Sequence, residues 1–111
     1  MKRRITAYKH YFMDFFDSLD SRSQEKTLYV LALLKTQDRL PVRFIKIIKD
    51  GLYELRIEYG GNIYRIFFIF DEGMAVILFN GFKKKSKRTP DDEIRKALKL
   101  KEEYYGNKSK Q

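Results

Sequence analysis

The chain has 111 residues, 43% apolar and 15% aromatic, which supports one buried core and is too rich for a disordered segment. It contains no cysteine and one histidine, which excludes disulfides, zinc–thiolate sites, cysteine nucleophiles and any two-histidine acid–base pair. With 24 Lys+Arg against 15 Asp+Glu, a net charge of +9, the first partner to expect is a polyanion, above all nucleic acid.

No apolar run approaches the roughly 18–20 residues that a membrane span needs. No apolar stretch follows the basic N-terminus, as it would in a signal peptide. The expectation is a cytoplasmic protein with no membrane partner. Nothing divides the chain, so residues 1–105 read as one domain and 106–111 as a frayed tail.

Residues 3–8 suggest a short strand. Phe12, Phe15, Phe16 and Leu19 recur at i, i+3, i+4 and i+7, which predicts an amphipathic helix over 10–19. Ser21 and Gln24 have the spacing of a capping box, and Leu28, Leu31 and Ala32 continue a second helix over 22–37. Two helices joined by a short loop suggest a helical hairpin. The period then changes. Tyr53, Leu55, Ile57 and Tyr59 alternate with polar residues, the mark of a half-buried strand. Gly60-Gly61 accepts the positive φ angles of a hairpin turn, and 63–70 is a second strand. A turn at Asp71-Glu72-Gly73 leads to a third strand over 75–79. Thr89 and Pro90, followed by three acids, start a last helix over 90–104, with Thr89 as its cap. The order β-α-α-β-β-β-α predicts an α+β fold, with helices on one face of an antiparallel sheet.

A two-residue Gly-Gly loop pairs Tyr59 with Asn62, and therefore Arg56 with Arg65. Like charges directly across two strands are destabilising unless they share an anion, and two guanidinium groups suit a phosphate. The plainer reading is that Glu54 and Glu58, on the same face, simply pair with the arginines. The run Lys83-Lys84-Lys85-Ser86-Lys87-Arg88 leaves the third strand beside them and favours a phosphate-tracking surface. Tyr64 and Asn80 border this region, as contacts to a base or ribose or as packing and turn residues. His10 reads as a surface or cap residue. Asp91-Asp92-Glu93 complements the helix dipole, so no metal is expected.

Several blocks together resemble the RelE/ParE toxin superfamily, nearest its HigB-like, phage-derived host-inhibition branch. They are Gly51-Leu52-Tyr53-Glu54-Leu55-Arg56, then Tyr59-Gly60-Gly61-Asn62-Ile63-Tyr64-Arg65-Ile66-Phe67, then Leu78-Phe79-Asn80-Gly81-Phe82-Lys83-Lys84-Lys85. Lys87-Arg88-Thr89-Pro90 and Glu93-Ile94 with Ala97 complete the set. The resemblance implies a RelE-like fold, with two N-terminal helices and a C-terminal helix on the sheet. It implies cleavage of messenger RNA in the ribosomal decoding site by attack of the ribose 2′-hydroxyl, without metal or other cofactor. It also implies a cognate antitoxin, often a helix-turn-helix protein of the HigA kind, through which alone operator DNA is met.

That chemistry needs positive charge where the phosphorane forms and groups that move two protons. Arg56 and Arg65 supply charge. Lys84, Lys85 or Tyr64 would move protons, a lysine doing so once neighbouring cations depress its pKa. Arg56, Arg65, Lys84 and Lys85 are thus the candidate catalytic residues, and Tyr64, Asn80, Lys83, Lys87 and Arg88 the candidate RNA contacts. Many relatives carry His where Asn80 stands. The alternatives are a ParE-like toxin that poisons gyrase and an inactive homologue that acts only as a binding module.

Overall fold

The computed structural model describes residues 2–85 and 89–110. Four strands follow one another as an antiparallel meander: β2 (Ile45–Lys49), β3 (Leu52–Tyr59), β4 (Asn62–Asp71) and β5 (Ala75–Lys84). The β3–β4 turn has φ of 59° at Gly60 and 80° at Gly61, angles that glycine adopts at little cost. The expected register holds: Tyr59 pairs with Asn62 and Arg56 with Arg65.

The sheet is mixed rather than antiparallel. β1 (Arg4–Ala7) lies parallel to β5 and completes the order β1-β5-β4-β3-β2. β2 has no counterpart among the predicted strands. Its register slips between Ile47 and Lys49, and Ile47 is 69% exposed, so no clean period-2 stripe marks it. β5 continues to Lys84, five residues past the predicted end, through a bulge that sets Phe79 and Asn80 opposite Phe67.

Helices cover both faces of the sheet, not one. On the first face, α1 (Tyr11–Asp17) and α2 (Ser21–Thr36) bring Phe12, Phe15, Val30, Leu31 and Leu34 against Leu55, Ile57, Tyr64, Ile66 and Phe68. On the second, α3 (Asp91–Ser109) brings Ala97 and Leu100 against Leu52, Phe67, Ile69, Ile77 and Phe79. β4 is therefore buried from both sides, and its unbroken run Ile66-Phe67-Phe68-Ile69 is the sequence mark of that position. Burying each of these side chains contributes about 1.5–3 kcal/mol.

The helix ends differ from expectation in detail. Asp20, not Ser21, caps α2 by accepting from Ser23 N at 2.8 Å, and Gln24 donates instead to Phe16 O. Leu28 points to solvent, because the buried stripe is Ser23, Thr27, Val30, Leu31 and Leu34. Pro90, not Thr89, occupies the N-cap of α3. Residues 106–109, expected to fray, are helical because Asn107 donates to Tyr8 Oη and Lys108 to Asp71 Oδ2. Among the described residues no helix is long and apolar enough to cross a membrane.

Candidate active site

Directly paired residues of an antiparallel sheet point to the same face. Lys46 pairs with Glu54, Arg56 with Arg65, and Ile63 with Lys84. The twofold period then sets Lys46, Glu54, Arg56, Arg65 and Lys84 on the face that α3 covers. The first turn of α3 stops short of them. Between it and the sheet lies a pocket of about 330 Å³, lined by Lys46, Ile47, Ile48, Arg56, Lys84, Thr89, Asp91 and Ile94.

A fully buried carboxylate organises the floor. Glu54 Oε2 is 3.5 Å from Arg56 Nε and Glu54 Oε1 is 3.5 Å from Arg65 Nε. Neither pair is aligned as a hydrogen bond. Thr89, expected as a helix cap, donates its hydroxyl to Glu54 Oε1 at 3.0 Å. Arg65 is itself buried and donates from Nη1 to Tyr64 O at 3.1 Å. One carboxylate thus serves two guanidinium groups, as the plainer reading expects of Glu54. Glu54 lies between the two guanidinium groups, and Lys46, Arg56 and Lys84 line the pocket together with Asp91.

The electrostatics follow. Burial pushes the Arg65 pKa down, with Arg56 adding to the fall and Glu54 opposing it. Lys84, half-buried, is pushed below the ordinary lysine value first by desolvation, then by Arg65, Arg56 and Lys46, with Glu54 again opposing. The neutral amine is the form that accepts a proton, so Lys84 is the pocket's candidate for proton transfer.

The other predicted residues fall elsewhere. Tyr64 is a core residue on the α1–α2 face, its hydroxyl 3.1 Å from Ser23 Oγ and its ring edge-on to Phe15, so it offers no surface to a base. Asn80 is buried at the β5 bulge and donates to Glu93 O and Oε1, fastening β5 to α3. Lys83 is exposed opposite Tyr64, and Lys85 is exposed just beyond β5. Lys87 and Arg88 lie outside the described residues. His10 is exposed at the start of α1, with Nδ1 2.6 Å from Asp14 Oδ2. Lys46 and Thr89 line the pocket but are not among the site residues expected from the sequence. The Ile-Lys-Ile alternation of 45–47 is the one signal for Lys46. Among the described residues no group of three or more His, Cys, Asp or Glu side chains is placed to hold a metal ion.

The family model described as phage derived protein Gp49-like (DUF891) matches residues 14–102. The chain belongs to this Gp49-like family. The charged residues of the pocket floor and wall, Lys46, Glu54, Arg56, Arg65, Lys84 and Asp91, fall inside the match. A chain of the archaeal RelE–RelB complex from Pyrococcus horikoshii OT3 has a similar fold, with a TM-score of 0.57 and 15% identity. That likeness covers 79% of this chain and 100% of the other. A search of the curated proteins finds no match.

In this Gp49-like protein the pocket is lined by Lys46, Arg56 and Lys84 beside Asp91. Its cations come from three strands, so their positions are fixed by sheet register rather than by a loop. An anion that gains charge during a reaction is stabilised most by donors already in place.

Proposed function

We propose that this protein is the toxin of a type II toxin–antitoxin module. It is an endoribonuclease that cuts messenger RNA in the ribosomal decoding site and so arrests translation in the cytoplasm. The observation that carries the reading is the convergence of Arg56, Lys46 and a pKa-depressed Lys84 on one pocket above the Glu54–Arg65 pair. The sequence blocks that resemble the HigB-like toxins contain four of these five residues, and the Gp49-like match spans all of them.

In this reading the scissile phosphate sits against Arg56 and Lys46. Lys84 takes the proton from the ribose 2′-hydroxyl. The 2′ oxygen attacks phosphorus and the P–O5′ bond breaks; the leaving 5′ oxygen takes a proton from solvent water, so the products are a 2′,3′-cyclic phosphate and a 5′-hydroxyl. No metal or cofactor takes part. Arg65 is a positioning residue: buried beneath the pocket, it holds Glu54 and keeps Lys84 depressed. Lys83, Lys85, Lys87 and Arg88 meet flanking phosphates. The partner is a cognate helix-turn-helix antitoxin of the HigA kind, through which alone the module meets operator DNA.

The test is induction in cells with mapping of new RNA 5′ ends, beside an Arg56→Ala control at matched expression. Cuts inside translated messages, in frame with codons and reduced about 10²–10³-fold in the control, are expected. Growth arrest with DNA-damage signalling and no new ends would instead mean a gyrase poison. No arrest, with tight antitoxin binding, would mean an inactive binding module.

A further inference from the structure

Arg56 lines a second pocket as well as the first. β2 pairs with β3 only as far as Leu55; there Arg56 N donates to Phe44 O at 2.7 Å, and the edge of β3 opens beyond. In that opening lies a pocket of about 260 Å³ lined by Lys26, Tyr29, Arg43, Phe44, Arg56 and Glu58. It joins the sheet edge to the outer side of α2, so a chain held at Arg56 can run from one pocket into the other.

The composition of this second pocket is that of a single-strand nucleic-acid surface. Cations lie over rings: the Arg43 guanidinium is 4.7 Å from the Phe44 centroid, and Lys26 Nζ is 5.1 Å from that of Tyr29. Tyr29 is 54% exposed, an aromatic ring that the core does not use. Cations that track a backbone beside an aromatic platform are what single-strand binding requires. Glu58 adds a hydrogen-bond acceptor to the pocket, suited to the N–H groups on the edge of a nucleobase.

We propose that this pocket is a nucleotide subsite adjoining the scissile phosphate, where Tyr29 stacks on a base, Arg43 and Lys26 meet the neighbouring phosphate, and Glu58 accepts from the base edge. The subsite rests on the nuclease reading and extends it along the RNA.

The test is fluorescence anisotropy of the full-length protein with a labelled 2′-O-methyl RNA tetranucleotide, which binds but cannot be cut. Tyr29 and Arg43 are exposed, so their variants keep the fold, and thermal melting checks this. Tyr29→Ala weakens binding about tenfold, and Tyr29→Phe restores it. Arg43→Ala weakens binding and lowers the slope of log K against log salt by about 0.7. Wild-type affinity in both Tyr29→Ala and Arg43→Ala, with loss only in Arg56→Ala, overturns the subsite and leaves the phosphate pocket standing. No binding by the wild type at low salt overturns the subsite, and the nuclease reading then stands or falls on the 5′-end mapping alone. Variants that lose a Glu-rich peptide but keep the tetranucleotide make the surface a protein-docking site, which also overturns the subsite. The 5′-end mapping reports cleavage separately, so the two readings fail independently.

Discussion

The ammonium of Lys84 carries the sharpest expectation. A lysine that acts as a base works only when neutral, and the neutral fraction grows as pH rises through its pKa. Because that pKa lies below the ordinary 10.5, cleavage should rise with pH through a midpoint below 10.5. Lys84→Arg keeps the charge but cannot give up its proton. It should bind RNA normally while cutting about 10²–10⁴-fold more slowly at every pH. A variant with wild-type cleavage would remove Lys84 from proton transfer. Glu54→Gln acts in the opposite sense on the same group. The carboxylate holds the Lys84 pKa up, so its loss should move the midpoint to lower pH. It also leaves Arg65 buried without a counter-charge, at a cost of about 3–5 kcal/mol in urea unfolding. The Arg56–Arg65 pair was legible in the sequence because Gly60-Gly61 fixes a two-residue turn and hence the register. Lys46 was not, since its place depends on an edge strand whose alternation breaks at Ile48. Alternation already set Tyr64 on the core face with Ile57, but alternation alone does not report how deeply a hydroxyl is buried.

At the scale of elements, Gly81 governs how α1 seats on the sheet. Its φ is ordinary, so the constraint is space: a Cβ there would stand 2.6 Å from Phe15 Cδ2 and within 2.9 Å of two more ring atoms. Gly81→Ala must push Phe15 out of the core cluster it shares with Tyr64 and Leu78. The expected cost is about 1–3 kcal/mol, read as a lower urea midpoint with unchanged slope. An unchanged midpoint would mean that α1 rests less firmly on β5 than this contact requires. The hairpin, both early helices and the last helix were readable from period and turn residues. The two-sided sheet was not, although the run Ile66 to Ile69 carried the information: four successive apolar residues in a strand need cover on both faces. The bulge at Phe79-Asn80 hid the length of β5 in the same way. It turns Asn80 toward α3 and breaks the alternation that would have extended the strand to Lys84.

Across the whole molecule, α3 is held far from the pocket by two polar clasps. Tyr104 donates to Asp71 Oδ2 at 2.5 Å, and Lys108 approaches the same oxygen at 2.9 Å. Tyr8 donates to Glu103 Oε1 at 2.8 Å, with Lys9 on that oxygen too. Asn80 fastens the other end of the helix, so the wall of the pocket depends on the seat of its entire length. The clasp at Asp71 has opposite signs at the two ends of the pH scale. The Tyr104 hydrogen bond, then Lys108, hold the Asp71 pKa below the ordinary 3.8, so its contribution is complete above that pH and is lost as pH falls through the depressed value. Burial first, then the Asp71 carboxylate, push Tyr104 up to about 12 from 10.0. Its contribution is complete below pH 10 and is lost as pH rises toward 12. The wild-type Tm should therefore fall across that alkaline interval. Tyr104→Phe starts with a lower Tm, having lost the hydrogen bond, but should fall less steeply over the same interval, because Tyr104 no longer adds to the loss from Tyr8, Tyr105, Lys9 and Lys108, whose pKa values are also raised. Parallel alkaline curves for the two proteins would place the linkage elsewhere and leave the Tyr104–Asp71 clasp without a share in seating α3.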